Sequence, residues 1–294
     1  MRQPGPPEPP CYHRSVVENG ESRACPECGG RGWIVAADGG NGTARPCVCR
    51  ERDRVPRLFG AAGIPERYRR CRLGTFDRSH NNPRVKDQLL RAFRESERYV
   101  DEFMNAEGEF RESGLIFFGP PGTGKTHLAV AVLSELIERY GAHGRFVNFN
   151  ELVQQIKATF DPSSEESSTE IFDPLTRAEL LVFDELGAQK QTPWVNDLLY
   201  LILNQRYVQR LPTIFTTNYL LQPGRAEAPA PAAGPRSLDR GADAPAPPAV
   251  EVTKLLSSRL PAPLVSRIFE MAKPIDMTSA TDFRREVLMH GKHS

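Results

Sequence analysis

Long apolar runs are missing from this chain of 294 residues. Runs such as Gly114–Phe118 and Leu180–Phe183 fall far short of the ~18 consecutive apolar residues a membrane span needs. The N-terminus also lacks the apolar stretch of a secretory signal and carries Pro6-Pro7 and Pro9-Pro10 instead. No membrane is expected, and a cytoplasmic protein is. Charge of one sign is missing too. Lys+Arg 38 against Asp+Glu 37 gives +1, which argues against a nucleic-acid coat acting through bulk charge. There is no internal repeat. What is present, 39% hydrophobic and 26% charged residues, can build a sizeable core. The length allows one large domain plus a small one, or two modest ones.

The even balance hides a local bias. Nine arginines and no lysine lie between Arg45 and Arg72, against Glu51, Asp53 and Glu66. Such a segment either steers a polyphosphate or acidic partner or serves as a solvated linker. Proline and glycine are equally uneven. Residues 1–22 read as disordered, and 222–250, with its APAPAAGP and ADAPAPPA runs, reads as a disordered surface insertion. Asp161–Glu170 (DPSSEESSTE) reads as a polar, acidic loop.

From Pro83 onward, helical and extended patterns alternate. Helices are expected over Lys86–Met104, Lys125–Tyr140, Glu151–Phe160, Trp194–Gln209, Thr253–Met271 with a break near Pro261–Pro263, and Ser279–Met289. Strands are expected over Leu115–Phe118, Arg145–Asn148, Leu180–Asp184, Thr213–Thr217 and Lys273–Met277. Five strands separated by helices imply an α/β fold, a parallel sheet with helices on both faces.

Between the first strand and its helix stands Gly119-Pro120-Pro121-Gly122-Thr123-Gly124-Lys125-Thr126, which fits G-x-x-x-x-G-K-[ST]. The glycines let backbone N–H groups turn toward one point, and the helix starting at Lys125-Thr126-His127 adds its positive end. These nine residues are the nucleotide-binding candidates. Lys125 would reach the β- and γ-phosphates, and the Thr126 hydroxyl would ligate Mg²⁺. A second strand ends in Asp184-Glu185. Its last side chains would enter the crevice at the carboxyl edge of the sheet. Asp184 would hold the Mg²⁺ shell, and Glu185 would take a proton from, or orient, the attacking water. A small-molecule kinase needs no such glutamate. Asn218, ending Thr213-Ile-Phe-Thr-Thr, would hold that water from the other side.

Together these pieces resemble the P-loop AAA+ ATPases, with Walker A, Walker B and sensor 1 in order. The likeness is closer to the helicase-loader branch, DnaC and DnaI, and to the IstB transposition helper. It is carried by GPPGTGKTHLA, LLVFDELGAQKQTPW, LNQRYVQRLPTIFTTNY, and SRIFEMAKPIDM followed by DFRR, over about Phe110 to Arg285. The resemblance implies a five-stranded AAA+ core with a reduced C-terminal lid. It also implies self-association through the ATP site, with Arg267 completing a neighbour's site and Arg259 and Arg206 as competing candidates. It further implies that the surface near Gln154–Phe160, including Lys157, meets DNA.

Cys25-Pro-Glu-Cys28 and Cys47-Val-Cys49 bracket a loop near the N-terminus. In a cytosolic chain, paired cysteines favour metal over disulfides, and four thiolates would hold Zn²⁺ tetrahedrally. The C-x-C pair is tighter than the usual C-x₂-C, and Cys11 and His13 are substitute ligands. Cys71 reads as a small buried hydrophobe. The expected organisation is a zinc module over 23–52, a basic linker over 53–82 and the ATPase domain over 83–294. DnaI-type loaders carry a similar module. The leading function is therefore an ATP-hydrolysing loader that places the replicative DNA helicase on single-stranded DNA. Its rivals are an IstB-like ATPase assisting a transposase and a nucleotide-gated adaptor with little turnover.

Overall fold

In the computed structural model, residues 28, 33–35, 44–105, 108–159, 168–188, 192–221 and 255–279 are described. The expectations placed on 1–22, on Cys25, Phe160 and the insertion 222–250, and on the stretch DFRR lie outside them. Nearly all of the helix expected over Ser279–Met289 does too. The described residues fall into two compact units, divided after Asp53.

The first unit carries strands β1 (Trp33–Val35) and β2 (Ala44–Pro46), paired antiparallel with Trp33 opposite Pro46. Helix α1 (Cys49–Arg52) comes next. Cys28, Cys47 and Cys49 are all buried there.

The second unit opens with α2 (Arg54–Ala61) and α3 (Pro83–Asp101). Asn82 caps α3, its side chain accepting from the Arg84 N–H, and Pro83 takes the first turn, where a missing N–H costs nothing. Then come β3 (Gly114–Phe118), α4 (Lys125–Tyr140), β4 (Gly144–Asn148), α5 (Phe149–Ala158), α6 (Ser168–Arg177) and β5 (Leu180–Asp184). The chain continues through α7 (Pro193–Val208), β6 (Thr213–Thr217), α8 (Ala262–Met271) and β7 (Ala272–Asp276). The five long strands form one parallel sheet in the order β4-β5-β6-β3-β7.

Alternation along the strands builds two cores. Leu115, Phe117, Leu180 and Val182 face a layer with α3 and α4, while Ile116, Leu181 and Phe183 face one with α5, α7 and α8. A strand buried on both faces reads as an unbroken apolar run, which is how β3 and β5 read in the sequence.

The structure corrects two expectations. Residues 54–82 are no linker: Leu58, Ala62, Ile64, Leu73 and Phe76 are buried in the same core as α4. Their apolar positions are widely spaced among arginines, so the charge masked the burial. Several of those arginines are also occupied. Arg72 pairs with Glu138 at 2.9 Å, Arg69 with Glu66 at 2.5 Å, and Arg54 donates to the Gly141 carbonyl at the end of α4. The acidic loop expected over Asp161–Glu170 gives way at Ser168 to α6, whose Ile171, Phe172 and Leu175 pack on the second core. Pro174 inside that helix disguised its period.

Both edges of the sheet are blunted. At β4, the Phe146 N–H donates to the Ala62 carbonyl at 2.7 Å, and the Arg145 guanidinium reaches the Ala61 carbonyl. At β7, Met277 N–H donates to Phe118 on the inner side. By alternation, Pro274, which has no N–H, faces the open side.

Candidate nucleotide-binding site

A parallel sheet delivers the segment after each strand to one common edge. The loop after β3, the turn after β5 and the residue after β6 therefore converge. A cavity of about 270 Å³ at that edge is lined by Gly122, Gly124, Lys125, Thr126, His127, Glu185, Thr216 and Asn218, with Arg67 and Tyr68 on a further wall. The structure thus brings the loop, Glu185 and Asn218 to one cavity, with Asp184 joined to it through Thr126.

Two glycines of the loop are needed for close approach. Gly119 has φ +148°, and a Cβ there would meet the Met277 carbonyl oxygen at 2.5 Å. Gly124 has φ +89°, and a Cβ would meet the Phe76 ring at 2.7 Å. The Lys125 ammonium donates to the loop's own Gly119 and Pro120 carbonyls, at 2.9 and 2.6 Å. Thr123 donates to Pro120 as well, at 3.1 Å, tightening the loop.

Beneath the cavity Asp184 is buried, only 1% exposed. Its Oδ1 accepts from the Thr126 hydroxyl at 2.8 Å and from the Thr216 hydroxyl at 2.6 Å. Burial pushes the Asp184 carboxyl above the usual carboxylate range. The two hydroxyls pull the other way, and neighbouring Glu185 adds to the rise. A buried carboxylate beside a threonine hydroxyl is an oxygen donor set that fits Mg²⁺, whose charge would offset the desolvation. Glu185 sits at φ +59°, a conformation a non-glycine residue holds only when its surroundings impose it. Its N–H donates to the Thr216 hydroxyl at 3.0 Å. Its Oε2 accepts from two amides, Asn148 and Asn150, each at 3.1 Å. Asn148 also caps α5, its Oδ1 accepting from the Asn150 and Glu151 N–H groups.

Sequence reasoning missed Asn148, Asn150 and Thr216, since none belongs to the loop or acid pair. The place of Asn148 and Thr216 toward the ends of β4 and β6, with Asn150 in the first turn of α5, was the available signal. It also missed Arg67 and Tyr68, having assigned them to a linker; the guanidinium lies 4.4 Å from the Tyr68 ring centre. His127 is half-buried, held by the Arg72 carbonyl at 3.1 Å and Thr75 Oγ1 at 3.2 Å, and burial lowers its pKa.

The three arginines proposed for a neighbour's site fare differently. Arg206 is fully buried and donates to Thr213, Leu175, Ala178 and Pro212, which takes it out of contention. Arg259 donates to the Gly187 carbonyl of the turn after Glu185, at 3.1 Å. Arg267 lies on α8, away from the cavity lining, and donates to Asn204 at 2.7 Å.

In the first unit, the sulfurs of Cys28, Cys47 and Cys49 all lie within 4.8 Å of one another, and Cys28 and Cys49 are 3.4 Å apart. Three thiols gathered at the end of a short hairpin suit a tetrahedral thiolate site with one more ligand.

Comparison with known proteins places these features. Residues 94–225 match the family described as "IstB-like ATP binding protein". The replicative helicase loader DnaC of Escherichia coli strain K12 is 30% identical over 166 residues, 56% of this chain and 62% of DnaC. The uncharacterized protein YqaM of Bacillus subtilis is 27% identical over 179 residues, 59% of this chain and 54% of YqaM. The chain thus spans between half and two thirds of the length of these curated relatives. A crystal structure of the DnaC helicase loader superposes with a TM-score of 0.53 at 30% identity, covering 72% of this chain and 99% of that one.

Proposed function

This chain belongs to the AAA+ family of DnaC- and IstB-like ATP-binding proteins, and from that membership we propose that it hydrolyses ATP to deliver a replicative DNA helicase to single-stranded DNA. The observation that carries the ATPase reading is the convergence of Lys125, Thr126, Glu185, Thr216 and Asn218 on one cavity above buried Asp184.

ATP enters with its phosphates against the loop. The Lys125 ammonium exchanges the Gly119 and Pro120 carbonyls for phosphate oxygens, a stronger charge-assisted pairing. Thr126 and Asp184 would hold Mg²⁺, which would supply charge neutralisation on the phosphates. Tyr68 and Arg67 offer a flat, cationic wall suited to the nucleobase. Glu185 leaves the Asn148 and Asn150 amides and takes a proton from water held by Asn218. The water oxygen bonds to the γ-phosphorus as the β–γ bridging P–O bond breaks, giving ADP and phosphate. Arg267 from a second copy stabilises the charge that develops, an effect of roughly 10³–10⁵ in rate where trans arginines act. Cys25, Cys28, Cys47 and Cys49 would hold Zn²⁺, which would supply the N-terminal unit with a folding staple.

For DNA, the ammonium of Lys157 on α5 lies 5.9 Å from the Trp194 ring centre at the start of α7. A cation beside a partly exposed indole is a stacking platform for unpaired bases. Duplex DNA hides its base faces, so this pair favours the loader over the transposase helper.

The test is capture from the native lysate with Glu185→Gln protein held in ATP and Mg²⁺, with Lys125→Ala as control. Recovery of the replicative helicase, lost in the control, is the expected result. Recovery of a transposase instead would move the protein to the IstB-like role. Recovery of neither would leave the helicase reading without support.

A further inference from the structure

Arg267 does not hang free from α8. Its Nη1 donates to Asn204 Oδ1 at 2.7 Å, and its guanidinium carbon lies 4.9 Å from the Tyr200 ring centre and 5.1 Å from that of Tyr207. Tyr200, Asn204 and Tyr207 recur at helical spacing along α7, so one helix face supplies all three. The Tyr207 hydroxyl is itself anchored on Glu270 of α8, at 2.8 Å. A guanidinium between two aromatic faces gains cation–π attraction and loses rotamer freedom before any ligand arrives.

This assembly is exposed. Tyr200 (43%) and Tyr207 (40%) stand with Leu201 (52%), Val208 (70%) and Phe269 (37%). Among the described residues of the second unit, these five are all of the large hydrophobic side chains that face solvent. All belong to α7 or α8. Tyrosine and arginine in an apolar surround have the composition of a protein interface centre.

We propose that Tyr200, Asn204 and Tyr207 are positioning residues that pre-set Arg267 for the nucleotide bound to a second copy of this chain, with Leu201, Val208 and Phe269 forming the apolar contact around it. This rests on the ATPase reading above. The occupant is fixed by chemistry. A stacked guanidinium keeps most of its donor fork for a planar or phosphoryl oxyanion. The cavity lining supplies Glu185 and Asn218 on one side, while its one guanidinium, Arg67, leans on Tyr68 at the other wall. A second copy therefore offers phosphates where this face offers an arginine.

The test compares wild type with the double variant Tyr200→Leu, Tyr207→Leu, which keeps apolar bulk but removes both π faces. The expected result is a fall in kcat of about tenfold or more, KM for ATP within about twofold, and an unchanged melting temperature. Tyr207→Phe, which keeps the ring, restores kcat to within about threefold. Adding Glu185→Gln protein, whose arginine face is intact, revives turnover of the double variant, whereas Glu185→Gln, Arg267→Ala protein does not. Equal kcat in wild type and double variant, or a loss that no Glu185→Gln protein rescues, overturns the positioning role. If wild type itself turns over no faster than Glu185→Gln, the ATPase reading falls and this proposal with it.

Discussion

At the scale of single residues, the site holds groups in states they would not choose alone. Asp184 is a carboxylate with its pKa raised by burial. A group whose folded pKa exceeds its unfolded one favours the folded state below the unfolded pKa and loses that contribution as pH rises through the folded pKa. Near neutral pH, Asp184 therefore weakens the nucleotide-free protein. Asp184→Asn is expected to raise its stability by roughly 1 kcal/mol, the usual gain when a functional strain is relieved. The same variant should lose the extra melting temperature that ATP with Mg²⁺ confers on wild type; a calorimetric scan of both proteins, with and without nucleotide, reads the two effects. Glu185 is restrained differently, by two amides that compete with water for one oxygen. Asn150→Ala removes one competitor without touching the Asn148 cap, and basal turnover should rise about twofold or more, given ~1.5–3 kcal/mol for a hydrogen bond to a charged group. A fall in steady-state phosphate release would instead mean that the amides aim the carboxylate.

At the scale of elements, Arg206 shows how α6, α7 and β6 are fastened. Its guanidinium satisfies the Leu175 and Ala178 carbonyls that end α6 and the Pro212 carbonyl that begins β6, and burial lowers its pKa to about 9. Arg206→Met leaves those carbonyls unpaired in the interior. A cost of about 3 kcal/mol or more is expected in urea unfolding, on the scale of breaking a buried charge network. Helices and strands with regular apolar periods were legible in the sequence: β3, β5, β6, α4 and α7 lie where alternation and helical spacing put them. The phosphate loop and acid pair were legible because their chemistry is local. The Asn148–Glu185 contact was not, because it joins residues 37 apart. Its partners meet only once β4 lies beside β5. The segment 54–82 was misread because its apolar residues obey no single period. They fill gaps beside α4 rather than one face of a long helix.

At the scale of the whole molecule, the chain divides into two compact units, one bearing the cysteines and one bearing the phosphate loop. If zinc staples only the first, a strong chelator should release about one equivalent of metal while ATP turnover persists; metal release and phosphate production can be followed together, and a parallel loss of turnover would tie the two units. The blunted sheet edges have a consequence of their own. With Pro274 on one side and the Ala62 carbonyl taken on the other, backbone pairing between neighbours is closed off. If copies of this chain gather on DNA as proposed, they can come apart as quickly as side-chain contacts allow, because no shared sheet would lock them into a fibre.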